Sequence, residues 1–312
     1  MPVETPRISV ILVAGRQRKR AQHVLDGIGA QDAPGLETVL IDLAPDLPPL
    51  VHPPGLDVHL TRGNLPGGFH AARALGVRWA RSPIAAFLEE HCRPEAGWAQ
   101  AVIRAFETGP WAAVGYSFVN ANPGTWVSRA CVLADYALWE APHPDTEARL
   151  LPGNNVAYRR DTLLAYGDRL AALLSPDFVL HERLRLDGQR LFMAGSAVAS
   201  HENPEALGFL LTANHAYCRV LAHGRAEAGS WSRTRRTFYS LAVPLGAPAI
   251  KLVRAARHIA RRPGCWLPYL SALPIILPTF LWSSVGEALG CSFGPGSAVG
   301  DFEEYELNRA RT

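Results

Sequence analysis

Acidic residues are missing from one long stretch of this chain. From Ala228 to Gly286 there is no Asp or Glu, while Arg233, Arg235, Arg236, Lys251, Arg254, Arg257, Arg261 and Arg262 give it a charge of +8. The chain as a whole is +3, which leaves residues 1–227 at −2, and the segment from Glu287 onward, five acids against Arg309 and Arg311, at −3. Lysine is nearly absent too, with only Lys19 and Lys251; with so much Ala, Gly and Pro, that points to a GC-rich, bacterial genome. The five cysteines (Cys92, Cys131, Cys218, Cys265, Cys291) never fall in a Cys-x-x-Cys pair, which argues against a zinc site and a disulfide framework and fits a reducing cytoplasm. Met1 to Arg7 carries Glu4 and two prolines and lacks the charged-then-apolar pattern of a secretory leader. No Gly-rich triphosphate loop follows the first apolar run either: Gly15-Arg-Gln-Arg-Lys-Arg20 has one glycine, which disfavours a nucleotidyltransferase.

What the N-terminal part does contain is an alternation of apolar strands and amphipathic helices. Ile8 to Val13 reads as a strand, Val24, Leu25 and Ile28 mark a helix, and Glu37 to Ile41 is a second strand ending at Asp42, a parallel βαβ unit. Ligands of open parallel sheets bind beyond the carboxyl ends of the strands, so Ala14, Gly15, Arg16 and Asp42 mark where a nucleotide would be met. Taken alone, Asp42 is equally an ordinary turn or cap residue. Asp57 to Leu60 is a third strand, and Asn64-Leu-Pro-Gly-Gly68 opens a helix from Phe69 to Trp79. Ile84 to Leu88 is then a buried strand that delivers Glu89, Glu90 and His91 at its end. Two carboxylates and an imidazole suit a divalent cation, manganese in preference to magnesium, which would neutralise a diphosphate leaving group; the competing reading is a solvated turn capped by His91. Later landmarks are Leu151 to Arg160, a helix after Pro176-Asp177, a strand Arg190 to Ala194, and His201.

In order, these segments resemble the inverting glycosyltransferases of family 2. The family pattern of a VSVIIPTYN strand, VDDGS, N-x-G-x-x-x-ARN-x-G, FLDDD with Pro and Gly-Trp, GGNNxAxRR, and ED-xx-L-xx-RL-xxxG followed by a His finds counterparts here. They are Ile8 to Gly15, Ile41-Asp42, Asn64 to Gly76, Phe87 to Trp98, Leu151 to Arg160, Asp177 to Gly188, and His201, spread over about residues 7 to 205. The resemblance implies an α/β fold of the GT-A type, Rossmann-like, with a mostly parallel open sheet and helices on both faces. It implies that Ala14, Gly15, Asp42, Arg73, Glu90, Asn154 and Asn155 bind the nucleotide sugar, with Ala14 and Asp42 at the base and Arg73 near the diphosphate. Glu89 and His91 stand for the acids of the DxD metal motif, with His201 a further candidate ligand, and Asp177 stands for the acid that activates the acceptor hydroxyl, with Glu182 and His181 as alternatives. The implied reaction is inverting transfer from a nucleoside-diphosphate sugar, a UDP-sugar by expectation, to a glycan or lipid-linked acceptor in polysaccharide biosynthesis. The chain departs from the pattern at Leu43, Ala74, the Glu-Glu-His triad and Pro176-Asp177. Those departures keep open a non-catalytic, membrane-bound binding or scaffold protein descended from a transferase.

The charge partition sets the domain expectation: a catalytic domain over 1–225 and a basic, apolar, helical tail over 226–312. Thr237 to Ile250 and Cys265 to Gly286 are uncharged; between them Ala249, Leu252 or Val253, Ala256 and Ile259 fall on one helical face and Lys251, Arg254, His258 and Arg261 on another, a basic amphipathic helix suited to an anionic membrane interface. Residues 233–286 are thus expected to meet a membrane surface at the cytoplasmic face, peripherally, monotopically or with one span. Arg on both sides of Thr237 to Ile250 argues against that run crossing alone. Pro268, Pro274 and Pro278 predict a broken rather than a straight spanning helix in the second run. A nucleic-acid partner is disfavoured, because the basic residues alternate with long apolar runs rather than with stacking aromatics.

Overall fold

The computed structural model describes residues 6–261, 264 and 266–310; residues 1–5, 262, 263, 265, 311 and 312, among them Arg262, Cys265 and Arg311, lie outside the described residues. In chain order the strands are β1 (Ile8–Ala14), β2 (Leu36–Asp42), β3 (Asp57–Arg62), β4 (Ile84–Leu88), β5 (Cys92–Pro94), β6 (Trp111–Asn120), β7 (Thr146–Ala148), β8 (Val156–Arg159) and β9 (Arg190–His201). The helices are α1 (Arg18–Gly29), α2 (Gly68–Trp79), α3 (Trp98–Glu107), α4 (Trp126–Cys131), α5 (Arg160–Leu164), α6 (Leu170–Leu173), α7 (Asp177–Leu186), α8 (Leu207–Ala228), α9 (Arg233–Ile259), α10 (Trp266–Phe293) and α11 (Ala298–Glu303).

Two compact units emerge. One holds the chain up to Val119 together with Ala141–His201; the other holds Asn120–Glu140 and everything from Glu202 onward. The division expected at 225/226 falls inside α8. α8 belongs to the second unit because it packs along α10, and charge composition carries no trace of that packing.

The first unit is an α/β sheet in the order β3-β2-β1-β4-β8-β6-β9-β5, with β7 on β9. β3, β2, β1 and β4 are mutually parallel, and β8 joins β4 antiparallel. Every residue of β1 and β4 is buried, as expected of parallel strands covered on both faces. Gly67 caps the start of α2 with a φ of +88° that suits glycine. It then lies so close on β1 that a Cβ at Gly76 would sit 2.5 Å from Ile11 Cγ2. The strand order reverses between β1 and β4, the topological switch point where ligands of such sheets are met.

The second unit is helical. α8 and α10 approach through a Gly286-x-x-x-Gly290 pair: a Cβ at Gly286 would meet the His215 carbonyl oxygen at 2.4 Å, and one at Gly290 the Arg219 oxygen at 2.0 Å. Leu133 and the Ala130 of α4 join Ala255 and Ile259 of α9 and Tyr269, Ala272, Ile276 and Phe280 of α10 in one apolar cluster. The break expected in the second uncharged run is absent. α10 runs unbroken through Pro274 and Pro278, as α9 does through Pro244 and Pro248, because packing of α10 against both α8 and α9 outweighs the one backbone donor each proline removes. Among the described residues α10 is the one helix long and apolar enough to cross a membrane, and 44% of its most apolar window is buried by the rest of the protein.

Candidate active site

Parallel register aligns the strand ends. Ala14 lies opposite Asp42, Asp42 opposite Arg62, and Leu12 opposite Leu88, so the residues just past β1, β2, β3 and β4 meet along one edge. At that edge Asp42 is buried and already claimed. Arg18 forks onto both its oxygens at 2.9 and 3.0 Å, Arg62 Nε donates at 2.8 Å and the Ala44 N–H at 3.0 Å. Two guanidinium groups on one carboxylate leave a net positive charge where a nucleotide was expected. Ala14 is fully buried and its carbonyl accepts the Leu43 N–H. Glu90 ties the ends of β1 and β4 together, accepting from the Gly15 N–H at 2.7 Å and from Arg20 at 2.5 Å.

Glu89 and His91 come together with His201. β5 pairs with β9 antiparallel, with Cys92 opposite His201, so His91 arrives edge-to-face on His201, ring centroids 4.8 Å apart. The Nε2 atoms of His91 and His201 lie 3.3 and 3.5 Å from the same Glu89 Oε2, and one ligand atom from each residue lies within 4.8 Å of the others. Neighbouring ligands of a first-row divalent cation, at bonds of about 2.0–2.2 Å, stand roughly 3 Å apart, so this set fits such an ion. Two imidazoles and one carboxylate favour a transition metal over magnesium or calcium. Burial alone pushes the Glu89 carboxyl up, but the His91 and His201 imidazoles beside it hold it well below the usual carboxylate range, in the form a cation needs.

The antiparallel register of β8 on β4 brings Asn154 and Asn155 to the same place. Asn154 donates to Glu89 Oε1 at 2.7 Å, Asn155 donates to Oε2, and the Glu89 N–H donates to Asn155 Oδ1 at 3.0 Å. Both carboxylate oxygens are thereby aimed, as outer-shell partners aim metal ligands. Asn154 sits at φ +63°, a left-handed conformation that asparagine tolerates better than most side chains. The turn points its N–H at Asp177 Oδ2, 3.1 Å away.

Asp177, the first residue of α7, is fully buried. Arg73 forks onto it at 2.5 and 2.7 Å and reaches Asn154 Oδ1 at 3.2 Å. The guanidinium lies 4.1 Å from the Phe87 ring centroid. Burial works against the charge on Arg73, but Asp177 outweighs it and the pKa rises. Tyr158 donates to Asp177 at 3.4 Å and lies 2.7 Å from His181 Nε2. Burial, then Asp177, pushes the Tyr158 hydroxyl well above its ordinary pKa, so it keeps its proton. Burial pulls His181 down to about 4 and, with Arg73 adding to it, His70 also to about 4. Both imidazoles are neutral near pH 7. Glu182 is exposed and outside this network.

Asn154 therefore links two groups, the Arg73–Asp177 pair and the Glu89–His91–His201 triad. The sequence reading named every member of both but missed Arg62 and Tyr158, and it weighed Arg18 and Arg20 only as parts of a triphosphate loop. Arg62 follows from the β2–β3 register once the strands are known to be parallel, and Tyr158 lies inside the Asn-Asn-Val-Ala-Tyr-Arg-Arg segment already singled out.

No family model matches the chain, and no curated protein does. Among solved structures, the mannosyltransferase PcManGT from Pyrobaculum calidifontis, in complex with GDP-Man and Mn2+, is similar with a TM-score of 0.53 and 18% identity over 93% of this chain and 87% of that one. GalNAc-T7 with UDP, GalNAc and Mn2+ is similar at a TM-score of 0.48 and 13% identity over 63% of this chain, which spans 43% of GalNAc-T7. S. aureus TarS 1-349 gives a TM-score of 0.47 and 10% identity over 96% and 90%. The likeness to the mannosyltransferase shows the fold alone: the first unit is an α/β domain of the GT-A type.

Proposed function

We propose that this protein is a metal-assisted glycosyltransferase, resembling the inverting enzymes of family 2, that moves a sugar from a nucleoside-diphosphate donor to a glycan or lipid-linked acceptor. The observation that carries the reading is the convergence of Glu89, His91 and His201 on one point, with both Glu89 oxygens fixed by Asn154 and Asn155. That point lies at the carboxyl end of β4, beside the switch point of the sheet. A divalent cation held there would neutralise the charge of the departing diphosphate. The similar mannosyltransferase is in complex with GDP-Man and Mn2+, which is consistent with that donor class and with manganese.

The chain's own residues have three tasks in this reading. Arg18 and Arg62 supply positive charge at the ends of β1 and β3 for the nucleotide. Arg73 leaves Asp177 for a diphosphate oxygen, which releases the Asp177 carboxylate to take the acceptor's proton; guanidinium binds carboxylate and phosphate through the same fork. Tyr158 and the Asn154 N–H hold Asp177 in place meanwhile. The unit from Glu202 onward, with Asn120–Glu140, supports residence at a membrane surface through 233–286, on the cytoplasmic side.

One observation favours a second reading, a nucleotide-sugar-binding scaffold without turnover. Asp177 is fully buried under Arg73, where no acceptor hydroxyl reaches it. Donor hydrolysis separates the two. The transferase reading expects manganese-dependent release of nucleoside diphosphate from a panel of UDP- and GDP-sugars, reduced at least a hundredfold, on the order of the usual contribution of a general base, in Asp177→Asn. Wild-type protein that binds a nucleotide sugar and releases no diphosphate supports the scaffold. Full turnover in Asp177→Asn with none in Glu182→Gln moves the base to Glu182.

A further inference from the structure

The exposed side of α9 carries a feature that sugar transfer does not use. Leu138, Ile250, Val253, Arg254, Arg257 and Arg261 line an open groove of about 550 Å³ within the second unit. On α9 the spacing of 250, 253, 254 and 257 places them along one helix face, and Arg261 follows in the turn just past the end of the helix. The opposite face, with Ala255 and Ile259, is buried in the cluster shared with α10. The groove has an aliphatic floor and an arginine rim. No acid lines it, and among the described residues Arg254, Arg257 and Arg261 make no ion pair. Three unneutralised guanidinium groups within about two helical turns form a receptor for phosphate oxygens. No Phe, Tyr or Trp lines the groove, whose single ring is the His258 imidazole, so it offers no large aromatic platform for a base, while the aliphatic floor suits a hydrocarbon chain. α9 and α10 also expose Leu245 (85%), Leu267 (77%) and Phe293 (79%), far more apolar surface than a water-facing helix pair needs.

We infer that this groove seats an anionic phospholipid of a bilayer surface, with the lipid phosphate on Arg254, Arg257 and Arg261 and the head of an acyl chain on Leu138, Ile250 and Val253. The inference rests on the membrane residence proposed above and makes it specific: attachment is selective for anionic lipid and is concentrated on one helix face. It is independent of donor, acceptor and metal.

The test is co-sedimentation of the full chain, without nucleotide or manganese, with vesicles of phosphatidylcholine alone or of phosphatidylcholine with phosphatidylglycerol. Wild type is expected to partition onto the anionic vesicles and only weakly onto the neutral ones. At roughly fivefold per basic residue near an anionic surface, R254Q/R257Q/R261Q is expected to lose on the order of a hundredfold in partitioning. R254K/R257K/R261K, which keeps the charge, is expected to retain most of it, and circular dichroism on both variants checks that they fold. Triple-glutamine protein that binds anionic vesicles as wild type does overturns the groove while leaving membrane residence standing. Wild type that binds no vesicle, or that is stabilised by inorganic phosphate with no vesicle binding, overturns the groove and membrane residence together. Neither result touches the transferase reading, which donor hydrolysis decides in the absence of lipid.

Discussion

The two units differ in where their singled-out charges lie, although the second also holds one largely buried pair, Lys251 on Glu287 at 2.7 Å. In the first, Glu89, Asp42, Asp177 and Arg73 are removed from water and each is matched within the unit by at least two hydrogen-bonding partners. In the second, Arg254, Arg257 and Arg261 stand unmatched on the surface and large apolar side chains face outward beside small-residue helix packing. A buried, paired charge is held in place for chemistry, and its loss is expensive because the partner is stranded. An exposed, unpaired arginine adds little to folding and is available to something outside the chain.

The sharpest way to break this contrast is to strand one member of the buried pair. Arg73→Met leaves Asp177 without its counter-charge in a dry site and is expected to destabilise the first unit by about 3–5 kcal/mol, measured by urea denaturation; a loss under about 1 kcal/mol would mean that water reaches Asp177. A similar scale applies to acid. His70 and His181 are neutral in the folded state with pKa values of about 4, against about 6.5 when unfolded. Between those limits the unfolded chain binds more protons, so stability is full above about pH 6.5 and falls as the pH drops toward 4. The loss is on the order of 3 kcal/mol for each imidazole. An unfolding free energy that stays flat from pH 7 to 4.5 would contradict the buried, neutral assignment.

In the second unit the close helix packing is the next sensitive term. Gly290→Ala places a Cβ 2.0 Å from the Arg219 carbonyl oxygen and forces α8 and α10 apart, at a cost of about 1–3 kcal/mol in thermal or chemical unfolding. The smallest effect belongs to the outward apolar residues. Leu245→Gln, at a side chain 85% exposed, is expected to leave stability within about 0.5 kcal/mol. A larger loss would show that Leu245 is packed against something in solution.

Much of the first unit was readable in advance because parallel strands write themselves as short apolar runs and the chemistry sits at their ends. Ile84 to Leu88 ends on Glu89 and His91, and that is where the triad forms. What was not readable is contact between strands far apart in sequence. His201 was a landmark with a single candidate role until β5 paired with β9, and Asn154 gave no hint that it joins Glu89 to Asp177. Arg18 and Arg62 close on Asp42 through register and helix position, neither of which leaves a motif. Composition marks the acid-free stretch and a basic face around α9, but not that Lys251, counted on that face, pairs with Glu287 or that Arg261 falls past the end of the helix. Composition missed that 120–140 packs with the C-terminal helices, that α8 belongs there too, and that α10 continues through its prolines, since each depends on which surface a helix finds to pack on.

The central claim is that Glu89, His91 and His201 form a cation site that serves a nucleoside diphosphate. Its most direct test is the thermal unfolding temperature of the full chain with UDP or GDP, with Mn2+, and with both. The triad predicts that diphosphate and manganese together stabilise well beyond the sum of their separate effects, and that His201→Ala removes this synergy while leaving a folded protein. Stabilisation by the diphosphate that is the same with and without manganese, or synergy that survives in His201→Ala and Glu89→Gln alike, would contradict it.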